Sequence, residues 1–229
     1  MAVSTASSKE PNQASSAYER LEQDILTGHL KPGERLRLKE LIVSYNTGNS
    51  PMREALSRLS ARGIVTREEN RGFSVPHATK ESLTELLKTR CWIEEIGLRE
   101  SIANGDNEWE ERIVLAFHWL SQSEKSDDLV SGRSPSDLKW SKHHQGFHMA
   151  LISACNSDIL IDFCTQLQGR SFRYFNLAKI SKYANRNELE EHRELKDATL
   201  ERDAELAVSK LKKHYTTTHE ILLTSDRFD

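Results

Sequence analysis

Between Ala17 and Thr27 the apolar residues Tyr18, Leu21, Ile25 and Leu26 recur every three or four positions. This predicts an amphipathic helix, stopped by Gly28 and by Pro32-Gly33. Leu38, Leu41 and Ile42 predict a second, shorter helix that ends near the Asn46-Thr47-Gly48 turn. A third is predicted directly after it, with Ser50 as N-cap, Pro51 at the first helical position, and Leu56 and Leu59 on its inward stripe. The period then changes. Ile64-Val65-Thr66 and Phe73-Ser74-Val75 are short β-prone runs separated by Arg67 to Gly72, which predicts a hairpin. After His77 the strand signals stop. Helical periodicity covers about Lys80–Ala103, Glu108–Lys125, Ser136–Cys155, Asp158–Ile180, Asn187–Arg202 and Ala204–Thr224, with a Ser- and Gly-containing loop over Asp127 to Pro135.

The fold class that follows is mainly α, in two domains. Residues 17–77 form an N-terminal winged helix-turn-helix, and residues 78–225 an all-helical antiparallel bundle. Residues 1–16, rich in Ser and Ala with no continuous apolar core, are expected to be a disordered tail rather than a signal peptide. A chain of 229 residues that is 37% hydrophobic supplies enough core for this arrangement. No run approaches the roughly 18 apolar residues that a membrane span requires. Cys91, Cys155 and Cys164 are odd in number and lack CxxC spacing, which excludes a CxxC zinc site and suits reduced thiols in a cytoplasmic protein.

Up to His77 the chain carries 11 basic and 9 acidic residues, and beyond it 21 and 26. The basic excess in front is small but has the sign that DNA phosphates need. Arg53 lies near the start of the third helix, where base-reading side chains stand, and Asn49 and Ser50 add hydrogen-bonding groups beside it. Lys39 and Arg58 are placed to reach the DNA backbone, and Arg71-Gly72 at the hairpin to enter a minor groove.

Pro32-Gly33-Glu34-Arg35-Leu36, Pro51-Met52-Arg53-Glu54-Ala55-Leu56, Gly63-Ile64-Val65 and Arg71-Gly72 follow one another in an order that resembles the N-terminal domain of GntR-family bacterial transcription regulators. The family's usual reader has Ser-Arg-Thr-Pro where this chain has Gly48-Asn49-Ser50-Pro51. An arginine that commonly contacts a base is thereby replaced by Asn49, which favours different base edges.

In the bundle, Trp140, His144, Phe147, His148, Leu151 and Cys155 share one helical stripe. His192 and His214 fall on inward stripes of the last two helices. A lone histidine on an apolar face is more often a hydrogen-bonded core residue, but four inward candidates favour one metal, with zinc or nickel best suited to imidazole nitrogen. His29, His77, His118, His143 and His219 show no such convergence and read as incidental; Glu191 is expected to point away from the histidines. Arg90 and Glu94 continue the stripe of Leu83, Leu86 and Leu87. Either they neutralise each other as an i,i+4 pair, or Arg90 captures an organic carboxylate with its planar fork. Arg170 and Arg173 either face the pocket or, as the commoner pattern, belong to a solvated helix face.

The His144-x-x-Phe147-His148 segment, Glu191-His192 and Leu211-Lys212-Lys213-His214 resemble the metal-binding segments of the FCD domain of the FadR subfamily, and Arg90 and Glu94 resemble its first-helix arginine and glutamate. The resemblance implies a pocket for a divalent metal and a small carboxylic-acid effector, and a homodimer on a pseudo-palindromic DNA operator. The first ligand of such domains is often aspartate or asparagine, and here it is His144. The leading expectation is therefore a ligand-controlled transcription regulator that acts as a repressor. The rival is a metal-dependent hydrolase using the same histidines, against which stands the absence of an HExxH pattern. A constitutive architectural DNA binder would leave the inward histidines and Arg90 without a use.

Overall fold

The computed structural model describes residues 13–68, 71–123, 135–178 and 186–228. The chain divides into two compact units, residues 1–77 and 78–229. In the first, α1 (Gln13–Leu26), α2 (Leu38–Ser44) and α3 (Asn49–Ala61) pack around a core in which Leu21, Ile25, Met52, Ala55, Leu56 and Leu59 are fully buried. Each such large side chain contributes about 1.5–3 kcal/mol by leaving water. Helix α1 begins at Gln13, so the last residues of the expected tail are helical; residues 1–12 lie outside the described part. The first turn, Gln13-Ala14-Ser15-Ser16, carries no large apolar residue by which periodicity could have marked it.

Gly48, not Ser50, is the N-cap of α3, and Pro51 stands at its third position. Gly48, Asn49 and Ser50 are all competent caps, and local preference alone does not choose among them. Pro51 is still within the first turn, where an amide has no intrahelical acceptor.

The hairpin forms from β2 (Thr66–Glu68) and β3 (Gly72–Ser74), with Arg67 opposite Phe73. A third strand, β1 (Arg35–Leu36), pairs antiparallel with β3 and gives the sheet order β1-β3-β2. Its two residues are too short a run to announce a strand. Ile64 and Val65, expected in the hairpin, are instead buried core residues that lead into it.

The second unit contains α4 (Lys80–Asn104), α5 (Asn107–Ser121), α6 (Pro135–Ile152), α7 (Asp158–Ala178), α8 (Glu188–Leu200) and α9 (Ala204–Leu223). Side-chain oxygens start four of them: those of Thr79, Asp106, Asn187 and Asp203 accept from the amides of Ser82, Trp109, Glu190 and Leu206. Helix α4 lies against α9, and Thr84–His219, Arg90–Tyr215 and Arg99–Glu205 contacts make the pair antiparallel. The same holds for α8 and α9, joined by His192–His214 and Glu194–Lys210. Loop residues 127–134 fall outside the described residues.

Trp109 is fully buried, donates Nε1–H to the Ala150 carbonyl at 3.0 Å, and lies under the Arg202 guanidinium. The α4–α5 turn fits against it because Gly105 has no Cβ. One built there would stand 2.1 Å from a Trp109 ring carbon and 2.7 Å from the Ser101 carbonyl oxygen. We expect Gly105→Ala to cost about 1–3 kcal/mol through overpacking and to lower Tm by several degrees. Gly169→Ala, in the interior of α7 with nothing within 4 Å of the new methyl, should raise Tm slightly. Thermal melts of the two variants decide this, and equal melting points would contradict the packing.

Candidate metal centre and adjoining cavity

The candidate DNA-facing residues Lys39, Asn49, Ser50, Arg53, Arg58, Arg71 and Gly72 are all exposed. On the first turns of α3, Arg53 Nε donates to Asn49 Oδ1 at 2.9 Å, so the two base-reading candidates orient each other. Arg58 is differently engaged. Its guanidinium lies 4.4 Å from the centre of the Tyr18 ring and 3.9 Å from Glu54, an arrangement that ties α3 to α1. The Arg71 carbonyl accepts from Arg35 Nε and Nη2 at 3.1 and 2.7 Å, which secures the hairpin's return. Gly72 has φ +91, a backbone conformation that side chains disfavour.

In the bundle, His144 and His148 stand one turn apart on α6, with His192 on α8 and His214 on α9. One ring nitrogen from each comes within 4.8 Å of all the others. His148, His192 and His214 are buried, and His144 is nearly so. Burial, followed by the neighbouring imidazoles, holds His144 and His148 far below the usual histidine range. Burial brings His192 down to about 4, although Glu188 works in the opposite direction. These three rings are therefore neutral at pH 7, the form that binds metal.

Their partners select the free nitrogens. The Glu94 carboxylate accepts from Arg90 Nε at 2.7 Å and from the Tyr215 hydroxyl. With that hydroxyl proton committed, the Tyr215 oxygen is left to accept from His148 Nδ1, 3.1 Å away. His148 Nε2 then carries a lone pair, and it faces His192 Nε2 at 3.3 Å. His214 Nδ1 lies 2.9 Å from Glu191 Oε2, and Arg186 grips the same carboxylate through two nitrogens at 2.5 and 2.8 Å. His144 Nε2 is buried without a hydrogen-bond partner, and the Glu188 carboxylate stops 3.9 Å short of it. Converging neutral imidazoles, one orphaned nitrogen and outer carboxylates that fix ring orientation fit a borderline-soft divalent cation.

His144, His148 and His214 also line a cavity of about 750 Å³, its opening to solvent included. Arg90 is on its wall, 4.1 Å over the Tyr215 ring, with Nη1 donating to Ser171 Oγ at 3.0 Å. Burial alone would weaken Arg90's hold on its proton; Glu94 outweighs it and keeps the guanidinium charged. Glu94 itself is buried behind Arg90 and is not part of the cavity wall. The structure thus joins the two readings of this pair: it is an ion pair, and its arginine faces open space.

Several residues stand otherwise than the sequence suggests. Glu191 reaches His214, because a glutamate's length carries its carboxylate well away from the direction of its Cβ. His219 lines the cavity and meets Thr84 Oγ1 at 3.0 Å, while His143 meets Ser123 Oγ at 2.5 Å. Arg173 is buried, not solvated, and burial lowers its pKa; Arg170 is exposed. Tyr215 and Gln168 were not singled out by the sequence, although each follows a helical spacing, Tyr215 next to His214 and Gln168 one turn before Ser171. The three cysteines are free thiols.

Residues 13–75 match the bacterial regulatory proteins of the gntR family, and residues 85–217 match the FCD domain. The chain is 36% identical over 207 residues to the HTH-type transcriptional regulator BphR of Paraburkholderia xenovorans (strain LB400), covering 90% of this chain and 83% of that one. It is 30% identical over 209 residues to the HTH-type transcriptional repressor GlaR of Escherichia coli (strain K12), covering 90% and 93%. Among solved structures, E. coli McbR/YncC and a GntR transcriptional regulator from Rhodococcus sp. RHA1 each superpose with a TM-score of 0.73 over 94% of this chain and 99% of theirs. At 22% and 23% identity those two speak for the fold. The relatives are regulators, not enzymes, and the helix-turn-helix, wing and helical bundle agree with them: the chain belongs to the GntR family of bacterial transcription regulators and carries an FCD domain.

Proposed function

We propose that the protein is a homodimeric, cytoplasmic repressor of the FadR type, whose grip on a pseudo-palindromic operator is controlled by a small carboxylic acid bound beside a divalent metal, zinc or nickel. The observation that carries this reading is the shared wall: three of the four converging histidines and the charged Arg90 line one cavity. Four imidazole ligands bring no carboxylate of their own to offset a divalent cation's charge, so the cavity favours an anion. When bound, the cation supplies a positive point for a ligand oxygen. His144, His148, His192 and His214 would hold it, and Arg90, backed by Glu94, orients the carboxylate.

The repressor sense follows that of GlaR, a transcriptional repressor. Dimerisation is supported by half-exposed or more exposed apolar residues on two adjacent helices, Trp92 and Ile96 of α4 and Ile159 and Phe163 of α7. For control, the acid has to bind the operator-competent and operator-incompetent states with different affinity. Helix α4 carries Arg90 and follows directly on residues 76–79, which places ligand contact on the element nearest in sequence to the front unit.

Two outcomes are expected. On an operator selected from random DNA, Arg53→Ala should weaken binding at least tenfold in fluorescence anisotropy, the loss of about one base contact. Arg58→Ala, whose side chain is held by Tyr18 and Glu54, should lose much less. A larger loss from Arg58→Ala would displace Arg53 as reader.

Chelation should lower Tm, because the metal binds only the folded bundle. The stripped protein should then lose stability as pH falls from 6.5 toward 4. Over that window the unfolded chain takes up a proton on His192 that the folded chain, with a value of about 4, refuses. The contribution is complete above 6.5 and is lost toward the folded value, with a slope up to about 1.4 kcal/mol per pH unit for each such histidine. A stripped protein with a flat Tm between pH 6.5 and 4.5 would contradict this.

A further inference from the structure

The cavity differs from end to end, and the difference bears on what it accepts. Arg90 and Tyr215 lie at one end with His148 and His214. From Arg90 the α4 wall runs back through Leu87, Leu86 and Leu83, while the α9 wall runs forward from Tyr215 to Leu222. Because α4 and α9 are antiparallel, those leucines share the opposite end. Leu83 and Arg90 are separated by about 10 Å of helix. Phe172 and Phe175 of α7 add to the apolar wall, and Phe175 stacks on Trp140 with ring centres 5.8 Å apart.

The polar end has unused hydrogen-bonding capacity. Arg90 spends Nε on Glu94 and Nη1 on Ser171, and its Nη2 makes no hydrogen bond among the described residues. Gln168 lines the same cavity and is 5% exposed, yet its amide nitrogen is buried with no hydrogen-bond partner among the described residues. It stands one helical turn from Ser171, the residue that holds Arg90, so the idle amide and the guanidinium share an end. A buried amide left unsatisfied is costly unless a ligand completes it.

Common classes of acid satisfy these walls unequally. A short hydroxy acid occupies the polar end and leaves leucine and phenylalanine facing water. A sugar acid sets several hydroxyls against Leu83, Leu86, Phe172 and Leu222, with Thr218 and His219 as the hydrogen-bonding groups near them, and a dicarboxylate sets a second charge in the same mainly apolar end. We propose that the effector is a carboxylic acid with an aromatic or similarly bulky apolar body, its oxygens held by Arg90 and Gln168 and its body lying on Leu83, Leu86, Phe172 and Leu222. This rests on the effector-pocket reading above and narrows it.

Isothermal titration calorimetry on the full-length, zinc-supplemented protein, with 3-phenylpropionate, benzoate, L-lactate, D-gluconate and succinate as probes, tests the assignment. The two aromatic acids are expected to bind at least tenfold more tightly than the other three. Gln168→Leu, which keeps the volume and removes the amide, should weaken 3-phenylpropionate about tenfold. Tighter binding of lactate, gluconate or succinate overturns the assignment and leaves the pocket reading standing. Failure of all five acids removes the pocket reading and the assignment with it. Undiminished binding of 3-phenylpropionate by Gln168→Leu overturns the part given to Gln168. The comparison of acids on the unaltered protein needs no variant to fold.

Discussion

Imidazole nitrogens buried beside one another set a strict condition. Each neutral ring carries one proton and one lone pair, and burial makes a mismatch between neighbouring rings costly. Tyr215 and Glu94 commit the proton of His148 to Nδ1, so its Nε2 lone pair faces His192 Nε2 at 3.3 Å, while His144 Nε2 has no hydrogen-bond partner among the described residues. A cation satisfies several such lone pairs at once, which protons on these rings do only at the cost of burying charge. Much of the bundle's polar interior is arranged around that condition: Glu94 behind Arg90, Tyr215 between Glu94 and His148, and Glu191 with Arg186 behind His214.

That arrangement links the proposed metal site to the proposed ligand site by a short path. Glu94 accepts from both Arg90 and Tyr215, and Tyr215 meets His148. An anion that draws Arg90 toward the cavity acts on a carboxylate that also fixes a metal-facing ring. The two bound species are then coupled without any large movement, and the coupling is reciprocal. The helix that holds both Arg90 and Glu94 begins at Lys80, three residues beyond the first unit, so the proposed ligand would act on the element through which the chain leaves the DNA-binding unit.

Much of this fold was legible in the sequence because its elements are long and periodic. The six helices of the bundle are marked by apolar stripes. The winged helix-turn-helix followed from the change of period at Ile64. Short or purely geometric features were not legible. Strand β1 is two residues long and exists only because β3 is there to pair with it. Three adjacent residues could cap α3, and the helix begins after Gly48.

The candidate site shows the same division. Spacing placed the four histidines on inward faces, and the fold brings them together. Periodicity locates a Cβ, however, not the end of a long side chain, so the approach of Glu191 to His214 and of Arg186 to Glu191 was hidden. The idle amide of Gln168 is a property of its surroundings, and no sequence pattern records what a side chain fails to touch. Arg58 looked like a phosphate contact by its position, and only the structure places it over Tyr18.

The most direct test of the central claim is anomalous X-ray diffraction from crystals of the zinc-loaded protein, measured on both sides of the zinc absorption edge. The account predicts one anomalous peak per chain, within bonding reach of ring nitrogens from His144, His148, His192 and His214, at about 2.0–2.1 Å from each. A peak elsewhere, or no peak with the four rings hydrogen-bonded to one another or to water, would contradict it.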